Sequence, residues 1–276
     1  MIQDLDVLVF DIQDVGVRFY TYISTMHYIM EAAAENNKAV IILDRPNPNG
    51  HYVDGPVLQE EYKSFVGMHP IPIVHGLTLG ELAKMINGER WLEADLACKL
   101  TVIKCLNYDH NTYYVPPIKP SPNLPNIRSI YLYPSLCLFE GTVVSVGRGT
   151  PTPFQIYGHP LYSKGKYQFT PEPTEGAKNP RYNGEVCHGF SLLEESIEDL
   201  RQAKKIRLEY ITGFHNCFPD KENFFNDFFP KLAGNDMLQQ QLAQSTSIVN
   251  IQKSWENDLI AYKKLRKKYL LYTDFE

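Results

Sequence analysis

Short continuous apolar runs alternate with amphipathic stretches along this chain. The runs Leu5–Ile12 (LDVLVFDI), Ala39–Leu43 (AVIIL), Leu100–Leu106 (LTVIKCL) and Thr142–Val146 (TVVSV) are rich in β-branched residues and read as buried strands. Between the first two, Tyr20–Asn36 follows a helical period and ends in Asn36-Asn37. A strand, a helix and a strand with short connections predict a βαβ unit, with parallel pairing and a right-handed crossover. Thr78–Asn87 is a second helix: Thr78 and Glu81 have capping-box spacing, and Leu79, Leu82, Ala83 and Ile86 share one face. Ile71–Val74 lies among Pro70 and Pro72 and predicts an edge strand at best.

Further along, Ile127–Phe139 predicts a helix interrupted at Pro134, and Leu192–Arg207 another. Ile248–Tyr269 predicts the longest helix, with an apolar stripe of Ile248, Ile251, Trp255, Leu259, Tyr262 and Tyr269. Its basic run, residues 263–268, suits the solvated last turns of a helix, where cations oppose the macrodipole. Pro151–Asn183 is rich in Pro, Gly, Thr and Tyr and reads as a linker or loop-dominated segment. The predicted fold is therefore α/β, a Rossmann-like parallel sheet over residues 1–150 followed by a smaller α+β C-terminal domain over 151–276.

Composition narrows the function more than the fold. The 276 residues carry a net charge of −5, 43% hydrophobic and 21% charged residues, which suits a globular protein with a real core. The mild acidic balance argues against a protein that coats nucleic acid or an anionic membrane. No apolar stretch approaches the roughly 20 residues that span a bilayer. The first residues, MIQDLDVLVFDIQD, hold acids where a signal peptide would hold bases. Five cysteines without a CxxC pair suggest neither a disulfide framework nor a metal site, so no metal and no cofactor is expected.

Ligands of open parallel sheets bind outside the carboxyl ends of the strands. Asp11 and Asp14 follow the first predicted strand, Asp44, Arg45 and Asn47 the second, His75 the weak third, and Arg148 and Thr150 the run at 142–146. Neighbouring strands lie roughly 4.8 Å apart. Asp11 and Asp44 can thus reach the separation of about 5–9.5 Å used by paired carboxylates in glycoside hydrolysis. Each can equally cap a helix or hold a turn, and Asp14 reads first as a turn residue. Glu140, squeezed between a helix and a strand, suits a desolvated general acid or a surface turn.

Arg18, Arg45 and Arg148 sit in turns and can fork onto a carboxylate or phosphate. Tyr20 and Tyr22 offer aromatic faces to a sugar or simply belong to the core. His75 polarises a ligand or caps its turn. Gly147-Arg148-Gly149-Thr150 matches neither a P-loop nor a dinucleotide fingerprint, and no serine has a nucleophile-elbow setting.

The strings DVLVFDIQDVGVRFYTYISTM, ILDRPNPNGHYVDGPVL, VHGLTLGELAKMINGE, SPNLPN and FEGTVVSVGRGTPTPFQIYG resemble the exo-β-N-acetylmuramidase family of Bacillus and Bacteroidetes, formerly a domain of unknown function. YKKLRKKYLLY resembles the end of that family. The resemblance implies a Rossmann-like domain joined to a smaller C-terminal one, with the cleft at their interface. It also implies release of terminal N-acetylmuramic acid from the non-reducing ends of peptidoglycan fragments, without metal or nucleotide.

On this reading Asp11, Asp44 and Glu140 are the catalytic candidates. Arg18, Tyr20, Tyr22, Arg45, Asn47, His75, Arg148 and Thr150 are the substrate-binding ones, an arginine gripping the lactyl carboxylate. The expected partner is a peptidoglycan-derived sugar or muropeptide, and the expected location periplasmic or extracellular.

The family is further expected to carry strand–helix units ahead of Leu5–Ile12, with a Glu-His-Gly segment supplying an acid. No Glu-His pair occurs in these 276 residues. A chain cut at the front would expose apolar sheet surface, favour oligomers and hydrolyse weakly. The alternative function is then a non-catalytic muropeptide- or glycan-binding protein.

Overall fold

The computed structural model describes residues 2–276, which form two compact units. The first unit takes the chain up to Tyr114 and regains it at Asn257–Glu276; the second is Val115–Glu256. The division therefore lies in the proline-rich loop after Tyr114, not at residue 150, and the last twenty residues belong with the first.

The first unit opens with β1 (Val7–Phe10), α1 (Tyr22–Glu35), β2 (Ala39–Leu43), β3 (Asp54–Val57), β4 (Pro72–Val74), α2 (Leu79–Gly88) and β5 (Lys99–Ile103). β1, β2 and β5 form a parallel sheet in the order β1-β2-β5, as the βαβ reading requires. The register stacks Leu8, Val40 and Leu100 in one row, and Phe10, Ile42 and Val102 in the next. These rows face α1 and α2. α1 buries Ile23, Met26, Met30 and Ala33, spaced to one helical face, and α2 buries Leu79, Leu82, Ala83 and Ile86.

The capping box of α2 is real. Thr78 Oγ1 accepts from Glu81 N, and the Glu81 carboxylate accepts from Thr78 N. Such a cap is worth about 1 kcal/mol.

The opposite face of the sheet is open. Val7, Val9 and Ile103 are 42%, 60% and 52% exposed, so these strands are not buried on both faces as continuous apolar runs usually are. β3 and β4 form a separate antiparallel pair, so His75 follows a strand outside the parallel sheet.

The second unit contains α3 (Ile127–Leu136), β6 (Ile156–His159), β7 (Tyr167–Phe169), β8 (Cys187–Ser191), α4 (Ile197–Gln202), α5 (Glu209–Cys217), α6 (Phe229–Ala233), α7 (Met237–Ala243) and α8 (Ile248–Ser254). Three expectations change here. Pro134 lies within α3 near its end, and the chain then tightens into a 3-10 turn at Cys137–Gly141. Residues 142–146 make only single bridges, Thr142 to Phe225 and Ser145 to Gly158, and form no strand. The supposed linker instead supplies β6 and β7, which flank β8 in an antiparallel sheet. An aromatic cluster fills the core of this unit; Tyr162 stacks on Phe214 at 3.9 Å, and Phe139 on Tyr157.

The expected long terminal helix is broken at Trp255 into α8 and α9 (Glu256–Arg266), and α1 is longer than either. Helix 192–207 shrinks to the six residues of α4. No helix of the described residues is long and apolar enough to cross a membrane.

α9 returns to the first unit through Arg266, which is wholly buried. Its Nε donates to the Gly76 carbonyl at 2.9 Å, its Nη1 to both oxygens of Asp274 at 2.8 and 2.9 Å, and its guanidinium lies 4.6 Å from the Phe275 ring centroid. Removing one partner of a buried ion pair leaves the other uncompensated. Arg266→Ala is therefore expected to destabilise the first unit by about 3–5 kcal/mol, seen as a lower urea midpoint. An unchanged midpoint would refute the role.

Candidate active site

Most of the polar groups at the strand exits are already engaged by the protein. Asp44, at the end of β2, accepts from Thr78 Oγ1 (2.7 Å), Gly80 N (2.8 Å), Tyr272 Oη (2.7 Å) and Arg45 N (3.1 Å). Burial raises its pKa while these hydrogen bonds oppose the rise. Its lone pairs are occupied, so it acts as a strut between β2, α2 and the C-terminal tail. Asp44, one of the catalytic candidates, is thus fully engaged by protein donors.

Arg18 is likewise buried, donating to the Pro56 and Ile71 carbonyls at 2.8 and 2.7 Å, and it braces the β3–β4 hairpin instead of offering a fork to solvent. Asn47 is buried too. Its Nδ2 donates to the Leu77 carbonyl, and its Oδ1 accepts from Asn49 N. Thr150 closes its own loop by donating to the Gly147 carbonyl and accepting from Thr152 N.

Asp11 remains at the surface. Arg45 Nε and Nη2 donate to its Oδ1 at 2.7 and 2.6 Å, leaving its second oxygen open. The half-buried rings of Tyr20 and Tyr22 meet edge to face at 5.1 Å. In the second unit, Arg148 forks onto Glu140 through Nε (2.6 Å) and Nη2 (3.1 Å). With both oxygens accepting, Glu140 fixes the orientation of Arg148.

The unspent chemistry of the first unit lies at Asp14 and His75. Asp14 sits in a tight turn in which its Oδ2 accepts from Gly16 N at 2.7 Å. Gly16 has φ +76°, and a Cβ there would fall 2.2 Å from the Asn47 carboxamide, so the turn demands glycine. The turn presses Asp14 inward, and its Oδ1 finds no partner among the described residues. Burial raises its carboxyl to about 7.

His75 Nε2 lies 4.0 Å from Asp14 Oδ2 and is also without a hydrogen-bond partner. Leu77 N donates to His75 Nδ1 at 3.2 Å, which places the ring proton on Nε2. Burial, reinforced by Arg266 and Arg18, lowers this imidazole to about 3. The charge on Asp14 in turn helps raise the Tyr20 phenol, whose burial is the larger cause.

A buried acid raised to about 7 and an unsatisfied N–H donor thus lie side by side. The turn expected at Asp14 is present in Asp14-Val15-Gly16, and within it the acid is buried.

Between about 3.8, the ordinary carboxyl value, and about 7, folded Asp14 holds a proton that the unfolded chain has released. Stability therefore falls as pH rises through that window and stays reduced above it. Asp14→Asn removes the charge that burial opposes. It is expected to match the parent near pH 4 and exceed it by about 2–4 kcal/mol at pH 8 in chemical unfolding. An equal difference at both pH values would refute the buried acid.

Two family models match the chain in order. Residues 1–128 match the family described as exo-beta-N-acetylmuramidase NamZ, N-terminal, and residues 131–272 its C-terminal counterpart. The peptidoglycan beta-N-acetylmuramidase NamZ of Bacillus subtilis (strain 168) is 41% identical over 289 residues, covering 99% of this chain and 69% of that protein.

Among solved structures, one DUF1343 family protein from Bacteroides fragilis NCTC 9343 superposes with a TM-score of 0.95 at 52% identity. It covers 98% of this chain and 76% of its own. A second from the same organism gives 0.77 at 30% identity, with 99% and 76% covered. With matches in order along both units and identity sustained nearly from end to end, this chain belongs to the exo-β-N-acetylmuramidase NamZ family.

Proposed function

We propose that this protein is a glycoside hydrolase that releases terminal N-acetylmuramic acid from the non-reducing ends of peptidoglycan fragments, with Asp14 as its proton donor. Family membership supplies the reaction. The observation that carries the mechanism is the buried Asp14 carboxyl of pKa about 7, its Oδ1 without a hydrogen-bond partner, beside His75 Nε2–H.

Glycosidic cleavage needs a proton on the departing oxygen and a second carboxylate for the anomeric side. Asp14 holds a proton up to about pH 7 and suits the first task. His75, neutral and donating through Nε2, orients the same oxygen or a neighbouring hydroxyl. Asp11, three residues upstream and ion-paired with Arg45, keeps an open carboxylate oxygen and suits the second. Their contrasting environments, one apolar and enclosed, one charged and exposed, divide the roles of acid and base. Tyr20 and Tyr22 stand close by as ring-facing side chains. A peptidoglycan-derived substrate places the protein's work in the periplasm or outside the cell.

Asp14→Asn is expected to lower kcat for a chromogenic N-acetylmuramic acid glycoside by about 10²–10⁴-fold. The parent's kcat/KM should fall above pH 7 as Asp14 releases its proton, and the variant's residual rate should lose that limb. Full activity in both Asp14→Asn and Asp11→Asn would sink the assignment. Tight binding of the sugar by the parent without turnover would favour the glycan-binding alternative.

A further inference from the structure

The basic run near the C-terminus, residues 263–268, divides in the structure. Lys263 and Lys267 pair with Glu276 at 2.5 and 3.7 Å, and Arg266 is buried on Asp274. α9 ends at Arg266, so Lys268 lies beyond the helix, where its Nζ stands 3.5 Å from Glu89. There it joins Lys84 of α2 and Arg90 around a cavity of about 460 Å³ within the first unit. No acid lines this cavity. Among the described residues, neither Lys84 nor Arg90 comes within ion-pair distance of a carboxylate.

Hydrogen bonds fix the walls. Asn87 spends both ends of its carboxamide on the Cys98 backbone, donating through Nδ2 at 2.9 Å and accepting at Oδ1 at 2.8 Å. Tyr269 donates its hydroxyl to Glu89, and its ring closes over Gly88, where a Cβ would fall 2.5 Å from Cε1. Arg90 holds a left-handed backbone at φ +58°, which strains any residue with a Cβ. Its Nη1 donates to the Asp95 carbonyl at 3.3 Å, which leaves the rest of the guanidinium fork for an acceptor. Leu100 and Ala97 complete the wall with apolar surface.

Three cations against the single acid Glu89 leave a local surplus of two positive charges, on a chain whose net charge is −5. A phosphate monoester carries about −1.5 to −2 at pH 7 and three strong acceptor oxygens, which matches both the surplus and the three donors. A monocarboxylate would leave one cation unmatched. The volume falls in the range of about 300–1,000 Å³ typical of small-molecule sites, so a carbon skeleton fits beside the phosphate. The Tyr269 ring and Leu100 suit a body with one apolar face and polar edges. We infer that this cavity is a second ligand site, which takes a small sugar phosphate. Lys84, Arg90 and Lys268 hold the phosphoryl oxygens, and the sugar ring lies against Tyr269 and Leu100. The site does not draw on the muramidase reading.

The test uses the full chain and three probes: glucose 6-phosphate, inorganic phosphate and glucose. Calorimetry at low salt should give glucose 6-phosphate a Kd on the order of 0.1–1 mM and inorganic phosphate a Kd about tenfold higher. Glucose should give no measurable heat. Because the cations are exposed, sodium chloride at about 1 M, where charges are screened within about 3 Å, should weaken glucose 6-phosphate by about tenfold or more.

Lys84→Gln and Arg90→Gln, both on exposed side chains, should each raise the Kd of glucose 6-phosphate about threefold or more, and together about tenfold or more, with the urea midpoint unchanged. Lys253→Gln removes the same charge from an exposed position in the second unit and should leave that Kd as in the parent. Binding weakened equally by all three substitutions is general charge attraction and overturns the site. Glucose bound as tightly as its phosphate overturns the role of the cations. Equal affinity for inorganic phosphate and glucose 6-phosphate overturns the sugar contact and, with it, the ligand class proposed.

Discussion

The carboxylate of Asp44 holds together the end of the parallel sheet on which the first unit depends. It stands one residue past the end of β2 and collects donors from the start of α2, from the following backbone amide and from Tyr272 in the tail. Its burial is tolerable because each lone pair is satisfied. Glu81 repeats the device one turn into α2, where it accepts from Thr78 N, His110 Nε2 and Leu271 N while wholly buried. The two acids clamp the C-terminal tail over the strand ends. Arg266 completes the clamp by joining Gly76 to Asp274.

This constraint decides which polar residues remain for chemistry. Polar residues gather at strand exits in the sequence, and many of them are absorbed once the tail closes. Asp44, Asn47 and Arg18 become structural for the same reason: they lie where backbone carbonyls and helix amides need partners. Asp11 escapes because β1 is an edge strand and its exit faces solvent. Asp14 escapes differently. Its turn satisfies one oxygen and buries the other.

The first unit was largely legible because its elements are local and strongly patterned. β1, β2 and β5, α1 and the capping box of α2 follow from apolar runs and helical spacing that tertiary contacts did not override. The second unit was legible in family resemblance more than in pattern. Residues 142–146 have strand composition, yet the chain is held there by single bridges to Phe225 and Gly158, partners far off in sequence. Residues 151–183 look like loop because β6 and β7 are short, and their pairing with β8 is not visible in any one segment. The return of α9 to the first unit is also non-local. It depends on Trp255 breaking the helix and on Arg266 finding Asp274.

Burial acts on Asp14 and His75 in opposite directions. Desolvation acts on both groups, raising the acid to about 7 and lowering the imidazole to about 3. Between those values both side chains are neutral, so two adjacent titratable groups occupy an apolar site without an ion pair to stabilise either. The proton on Asp14 is thereby retained near neutral pH, and the proton on His75 is confined to Nε2 by the Leu77 amide. An ion pair in the same place would have drawn the proton from the acid to the ring and removed the donor. The 4.0 Å separation, longer than a hydrogen bond, keeps the two groups from satisfying each other. Each therefore retains an unmet polar atom, Oδ1 on Asp14 and Nε2 on His75.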